Sequence, residues 1–211
     1  MRKTLLIVWL LVPVAAGAYH FGPGQKRLAL DEVARLVQKA EEHVQRAHAM
    51  AASEGDFAAQ QDWLEAEAAY TNALEQLPAD KVTQRQRVQL ERAKVRMFIG
   101  HLPLANVELG ELVEEMMAAA APDRELLAEA RSALANSQYY MTWLLRLEGA
   151  TREEWEPRIE AARQTYKLLA EEAEEAEDTE ALQENKENLE STIRLARMDL
   201  QELQGLPIPS Q

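Results

Sequence analysis

The chain has 211 residues, of which 47% are hydrophobic and only 6% aromatic, with 8 Gly, 8 Pro and no Cys. Its formal net charge of -13 excludes a general nucleic-acid binder, because such a protein needs basic surface to neutralise phosphates. The lack of cysteine excludes disulfides, thiolate metal sites and cysteine nucleophiles. Ala, Leu, Glu, Gln and Arg dominate, and these residues lose little side-chain freedom in a helix, so the composition predicts an all-α fold.

Residues 1–22 have the pattern of a targeting segment, with two basic residues before an apolar run. As an uncleaved transmembrane anchor, residues 4–22 would form a helix of about 28 Å, barely long enough to cross the hydrocarbon core. As a signal peptide, the segment would be cleaved after Ala18, at a small-residue site. The pattern favours the anchor, with the helical domain exported to the periplasmic or other extracytoplasmic side; the alternative is a secreted soluble protein.

The rest of the sequence predicts a hinge at residues 23–27, a helical domain at 28–204 and an extended tail at 205–211. Apolar residues recur every three or four positions throughout the domain and predict about seven helices. They are Leu30–Ala52, Phe57–Leu77, Val82–Ile99, Pro103–Ala119, Arg124–Leu147, a sixth from Thr151 to Ala176 and a last one from Asp178 or Thr179 to Gly205. Short loops make consecutive helices antiparallel neighbours, in a bundle or a stack of hairpins.

Two stretches of the domain repeat a spacing of large and small side chains. The first contains Trp63, Ala66, Tyr70, Ala73 and Pro78, and the second contains Ala93, Gly100, Leu102, Ala105, Leu109 and Leu112. Small residues let two helices approach closely, while large ones fill the space beside them. The pattern resembles the tetratricopeptide repeat, a helical hairpin of about 34 residues. The resemblance covers about residues 48–119, although the second copy lacks the proline; an unrelated helical bundle is the alternative.

This resemblance implies that the first helix of each hairpin lines a concave groove for a bound peptide. On that mapping, the residues facing the peptide are Arg87, Leu90, Lys94, Met97 and Phe98. The third helix is rich in Lys and Arg, so the groove could hold the carboxylates of an acidic segment or of a C-terminus. Alternatively, the cations pair with glutamates of neighbouring helices or face water.

The stretch "NSQYYMTW" is a second candidate binding surface. Asn136, Tyr140 and Trp143 share one helical stripe, with Tyr139 beside it. Rigid aromatic side chains beside a polar amide make good anchors for a partner. Alternatively, they pack between hairpins, with their polar tips finding partners inside the protein.

No sequence feature indicates catalysis. Nucleotide-binding, hydrolase and zinc-protease motifs are absent, and His43 and His48 are spaced so that they point away from each other on a helix. We therefore expect no enzyme activity, cofactor or metal. The predicted function is a membrane-anchored, tetratricopeptide-like scaffold or adaptor that binds another protein in the cell envelope. The alternative is a secreted or periplasmic helical protein with a structural or self-associating role.

Overall fold

A computed structural model describes residues 25–204, and all regular structure in that range is α-helical, which confirms the predicted all-α class for this part of the protein. The helices are α1 (Gln25–Glu54), α2 (Asp56–Gln76), α3 (Val82–Phe98), α4 (Leu102–Ala118), α5 (Arg124–Leu147), α6 (Arg152–Glu175), α7 (Thr179–Arg197) and α8 (Leu200–Gln204). The predicted anchor or signal segment and the predicted tail lie outside the described residues. No described helix is both long and apolar enough to span a membrane.

Local signals in the sequence set most of the helix ends. Gly55, between α1 and α2, and Gly100, after α3, have φ angles of 91° and 79°, in the left-handed region that glycine tolerates best. Asp123 caps α5 by accepting a hydrogen bond from the backbone N–H of Leu126. The predicted capping box at the start of α6 is present, with the Glu154 carboxylate accepting from the Thr151 N–H at 2.7 Å.

Two predicted boundaries differ from the structure. Helix α1 begins at Gln25, so part of the predicted hinge is helical. The predicted last helix is two helices, because the backbone is extended at Met198 before α8 begins. Asp199 and Glu202 form a reciprocal pair of side-chain to backbone hydrogen bonds that starts α8, and the Arg146 guanidinium donates to the Met198 carbonyl at 2.5 Å.

Helices α1 to α7 pack in sequence order, each against the next, with further contacts between α3 and α5, and α8 packs against α5. Polar pairs show the antiparallel arrangement: in α3 and α4, Gln86 bonds to Glu115 while Arg92 bonds to Glu108. The apolar core consists of four clusters that follow one another from α1–α2–α3 to α5–α6–α7–α8. The result is a repeat-like helical fold, in which each hairpin is covered by its neighbours.

The repeated residues lie in this core. Trp63, Ala66, Tyr70 and Ala73 are buried between α1, α2 and α3. In the second stretch, the buried residues are Ala93, Leu102, Ala105, Leu109 and Leu112. Ala66, Ala73 and Ala105 have no exposed surface, because neighbouring helices meet at these small side chains.

Candidate functional site

An open groove of about 570 Å3 crosses the side-chain faces of α1, α3, α5 and α7, the first helices of successive hairpins. The side chains that line it include Val44, His48, Trp63, Glu91, Lys94, Met97, Phe98, Glu129, Asn136, Tyr140, Tyr166, Glu184 and Asn188. Residues from the two predicted surfaces, one on α3 and the other on α5, are therefore brought together in one groove.

One part of the groove is an aromatic cluster made by α1, α2 and α3. The rings of Trp63 and Phe98 are stacked, with centroids 4.1 Å apart and planes 4° from parallel. His48 meets both rings edge-on, at 4.7 Å from Trp63 and 5.6 Å from Phe98. Trp63 is only 3% exposed, so the half-buried Phe98 and the exposed His48 form the accessible surface of this aromatic cluster.

Lys94 lies in the groove between two carboxylates. Its Nζ is 2.9 Å from a Glu91 oxygen and 2.5 Å from a Glu129 oxygen. Burial acts to lower the pKa of Lys94, but the two glutamates outweigh it and raise this pKa above its ordinary value. Lys94 is therefore a charged group whose hydrogen bonds are made inside the protein.

Three other cations of α3 also have partners within the protein. Arg92 and Arg96 both pair with Glu108, and Arg96 also bonds to Glu67 at 2.7 Å. Arg85 donates to two backbone carbonyls at the end of α2. These contacts agree with the alternative in which the basic residues of α3 pair with neighbouring helices.

The remaining predicted residues of α3 lie in different places. Leu90 has no exposed surface and packs in the core between α3, α4 and α5, so the prediction that it faces a bound peptide is wrong. Met97 is 6% exposed and forms part of the groove floor. Arg87 is exposed beside a separate apolar depression between α1 and α3, and its guanidinium is 3.7 Å from Glu129.

The four predicted residues of α5 divide into two pairs. Asn136 and Tyr140 line the groove, and burial raises the pKa of Tyr140. Tyr139 and Trp143 belong instead to the apolar cluster shared with α6, α7 and α8. Trp143 is 4% exposed, and its indole N–H has no hydrogen-bond partner within the described part of the protein. For this second pair, the position fits packing between hairpins.

A second depression of about 940 Å3 continues the groove between α5, α6 and α7 and shares Glu129, Ser132 and Glu184 with it. The carboxylates that line the two parts are Glu91, Glu125, Glu129, Glu172, Glu175, Asp178 and Glu184, and the cations are Lys94, Arg124 and Arg131. Arg131 pairs with Glu172 at 3.1 Å. The continuous surface is therefore acidic, although Lys94, one of its sequence-predicted residues, is a cation.

Several lining residues were not predicted from the sequence. Glu91 lies one helical turn from Lys94, and Ser132 lies one turn from Asn136, so each shares a helix face with a predicted residue. Helical periodicity in the sequence could therefore have identified both positions. Glu184 and Asn188 are also one turn apart, but nothing in the sequence assigns this face of α7 to the groove. Their position depends on how α7 packs, which is a property of the tertiary structure.

The groove offers aromatic surface, carboxylates and amides, which suit recognition of a peptide. Across residues 29–204, no three His, Asp or Glu side chains are grouped so that they could hold a metal ion. Comparison of the sequence and the structure with protein-family models, curated proteins and solved structures finds no match. The groove geometry is therefore the main basis for a functional proposal.

Proposed function

We propose that this protein is a non-catalytic, tetratricopeptide-like adaptor that binds a segment of another protein in its groove. The observation that carries the proposal is that one open surface is lined by the first helix of each successive hairpin, α1, α3, α5 and α7. In a stack of hairpins, this is the face on which a curved array presents its binding surface.

The packing of small residues supports the tetratricopeptide-like part of the proposal, whereas the length of the first hairpin differs from the family pattern. Small residues at the repeated positions lie where neighbouring helices meet, as that family requires. However, the hairpin α1–α2 spans residues 25–76, which exceeds the family unit of about 34 residues. We therefore propose a stack built on the same principle with longer helices.

The cellular location in this proposal rests on the sequence of residues 1–22 alone. An apolar segment with a basic start would hold the adaptor at a membrane and expose its helical domain in the cell envelope. Such tethering would raise the effective concentration of the groove toward partners at the same membrane.

Site-specific photo-crosslinking in cells tests the adaptor function. A photoreactive phenylalanine analogue is placed at position 48 or 188, both in the groove, and at position 111 as the control. Glu111 is exposed on α4 and outside the groove, so the control variant reports random encounters. We expect defined protein adducts from positions 48 and 188 and none from position 111. An equal adduct pattern at all three positions would contradict a binding role for the groove.

A further inference from the structure

We infer that the segment bound in the groove carries cationic side chains beside an apolar or aromatic one. This inference rests on the proposed function and adds the chemistry of the partner. It differs from the sequence-based expectation of an acidic segment, because the structure shows where the charges of the groove lie.

Four of the seven carboxylates that line the two parts of the groove have no cation partner among the described residues: Glu125, Glu175, Asp178 and Glu184. Glu175, at the end of α6, and Glu184, on α7, both line the groove continuation. Neither forms an ion pair or hydrogen bond with any described residue. In contrast, two of the three cations that line the surface, Lys94 and Arg131, are already paired with groove glutamates. A ligand therefore meets available negative charge and largely neutralised positive charge.

An acidic ligand would face two costs in this groove. Its carboxylate would have to compete with Glu91 and Glu129 for Lys94, which these residues hold at hydrogen-bonding distance. It would also approach the unpaired Glu184 on the adjoining helix, and like charges repel strongly in a partly desolvated site. A Lys or Arg side group avoids both costs and gains a charge-assisted hydrogen bond.

The aromatic cluster sets the second requirement for the ligand. Phe98 and His48 present their accessible surface in the same groove as Glu129 and Glu184. An apolar or aromatic ligand side chain would bury area against these rings, while the cationic side chains lie toward α5 and α7. The helical faces of α1, α3, α5 and α7 extend over about 30 Å at ordinary interhelical distances, which corresponds to about nine residues of extended peptide.

The test measures binding of fluorescently labelled nine-residue peptides to the full-length protein in non-ionic detergent. Three peptide pools share a central Phe and Leu and differ in their flanking residues. These are Lys and Arg in the basic pool, Glu and Asp in the acidic pool, and Ser and Gln in the neutral pool. We expect the basic pool to bind at least about tenfold more tightly than the other two and to weaken as salt is added.

Paired variants separate groove recognition from general attraction to a protein of net charge -13. Glu175→Gln with Glu184→Gln removes two of the available groove carboxylates, both of them free of ion pairs and hydrogen bonds within the described residues. Glu75→Gln with Glu111→Gln makes the same charge change at exposed positions of α2 and α4. All four glutamates lack ion pairs within the described region, so both variants should fold, which thermal unfolding checks. We expect the groove variant to bind the basic pool about three- to tenfold more weakly and the control variant to match the parent protein.

Several outcomes would overturn the inference. Equal or tighter binding of the acidic or neutral pool would refute the partner chemistry, while defined photo-adducts at positions 48 and 188 would preserve the adaptor function. Equal weakening in both paired variants would assign the binding to net charge alone. Light scattering could also show a dimer that no longer binds the basic peptides. That result would mean that a second copy of the protein occupies the groove.

Discussion

At the scale of single residues, the same types of side chain serve different purposes according to position. Arg96 and Lys94 are both cations of α3, but Arg96 joins α2 to α4 through Glu67 and Glu108. Lys94 instead joins α3 to α5 through Glu129 and lies in the groove. The sequence shows the cluster of cations, but partners such as Glu129 lie 35 positions from Lys94 and depend on tertiary packing.

An interaction between α1 and α2 makes stability depend on pH. The His43 ring nitrogen lies 2.6 Å from an Asp62 oxygen, and Arg46 is 3.1 Å from the same oxygen. The hydrogen bond to His43, supported by Arg46 and partly opposed by burial, lowers the pKa of Asp62 below its ordinary value. Ionised Asp62 therefore stabilises the fold at neutral pH, and this contribution is lost as pH falls through its unfolded and then its folded pKa.

The change Asp62→Asn should lower stability at neutral pH and reduce the loss of stability between about pH 5 and about pH 3. Urea unfolding at each pH measures both effects. Asp80→Asn is the matched control, since Asp80 is exposed in the turn before α3 and has no ion pair within residues 29–204. Parallel acid profiles for the parent protein and Asp62→Asn would show that this carboxylate does not stabilise the fold.

At the scale of elements, helix boundaries are the feature best predicted from the sequence. Gly55, Gly100 and the Thr151–Glu154 pair are local signals whose effect needs no distant contact. The break between α7 and α8 also has a local signal, since Asp199 and Glu202 have the spacing of a capping box. The prediction of one continuous helix is wrong here because the apolar periodicity continues through the break, and Leu203 of α8 is as deeply buried as Leu195 of α7.

Replacing either of two glycines, one after α3 and one inside α4, by alanine should change the free energy of unfolding in opposite directions. Gly100 has a φ of 79°, whereas Gly110 lies inside α4, and an added Cβ would meet nothing within 4 Å at either position. Gly100→Ala should therefore lower the free energy of unfolding by about 1 kcal/mol through backbone strain. Gly110→Ala should raise it by about 0.5–1 kcal/mol, because alanine is the better helix former. Urea unfolding of both variants measures the difference, and equal effects would contradict the assigned end of α3.

At the scale of the whole molecule, the order of packing determines where the groove lies. Helices α1 to α7 each pack against the next, and α1, α3, α5 and α7 contribute most of the groove lining, to which α2 adds Trp63 and α6 adds Tyr166. The repeated residues of the sequence predict hairpins that stack in this way. They do not predict the charge of the surface, because Glu129 and Glu184 reach it only through the approach of α5 and α7.

Hydroxyl-radical footprinting of the full-length protein, with and without a crosslink-identified partner, tests most directly whether the groove is the binding surface. His48, Phe98 and Tyr140 line the groove and are readily oxidised types, while Phe57 and Met117 are 90% and 58% exposed on α2 and α4. We predict that the partner reduces oxidation of the three groove residues and leaves Phe57 and Met117 unchanged. Protection of Phe57 and Met117 with no change in the groove would place the partner elsewhere and contradict the adaptor described here.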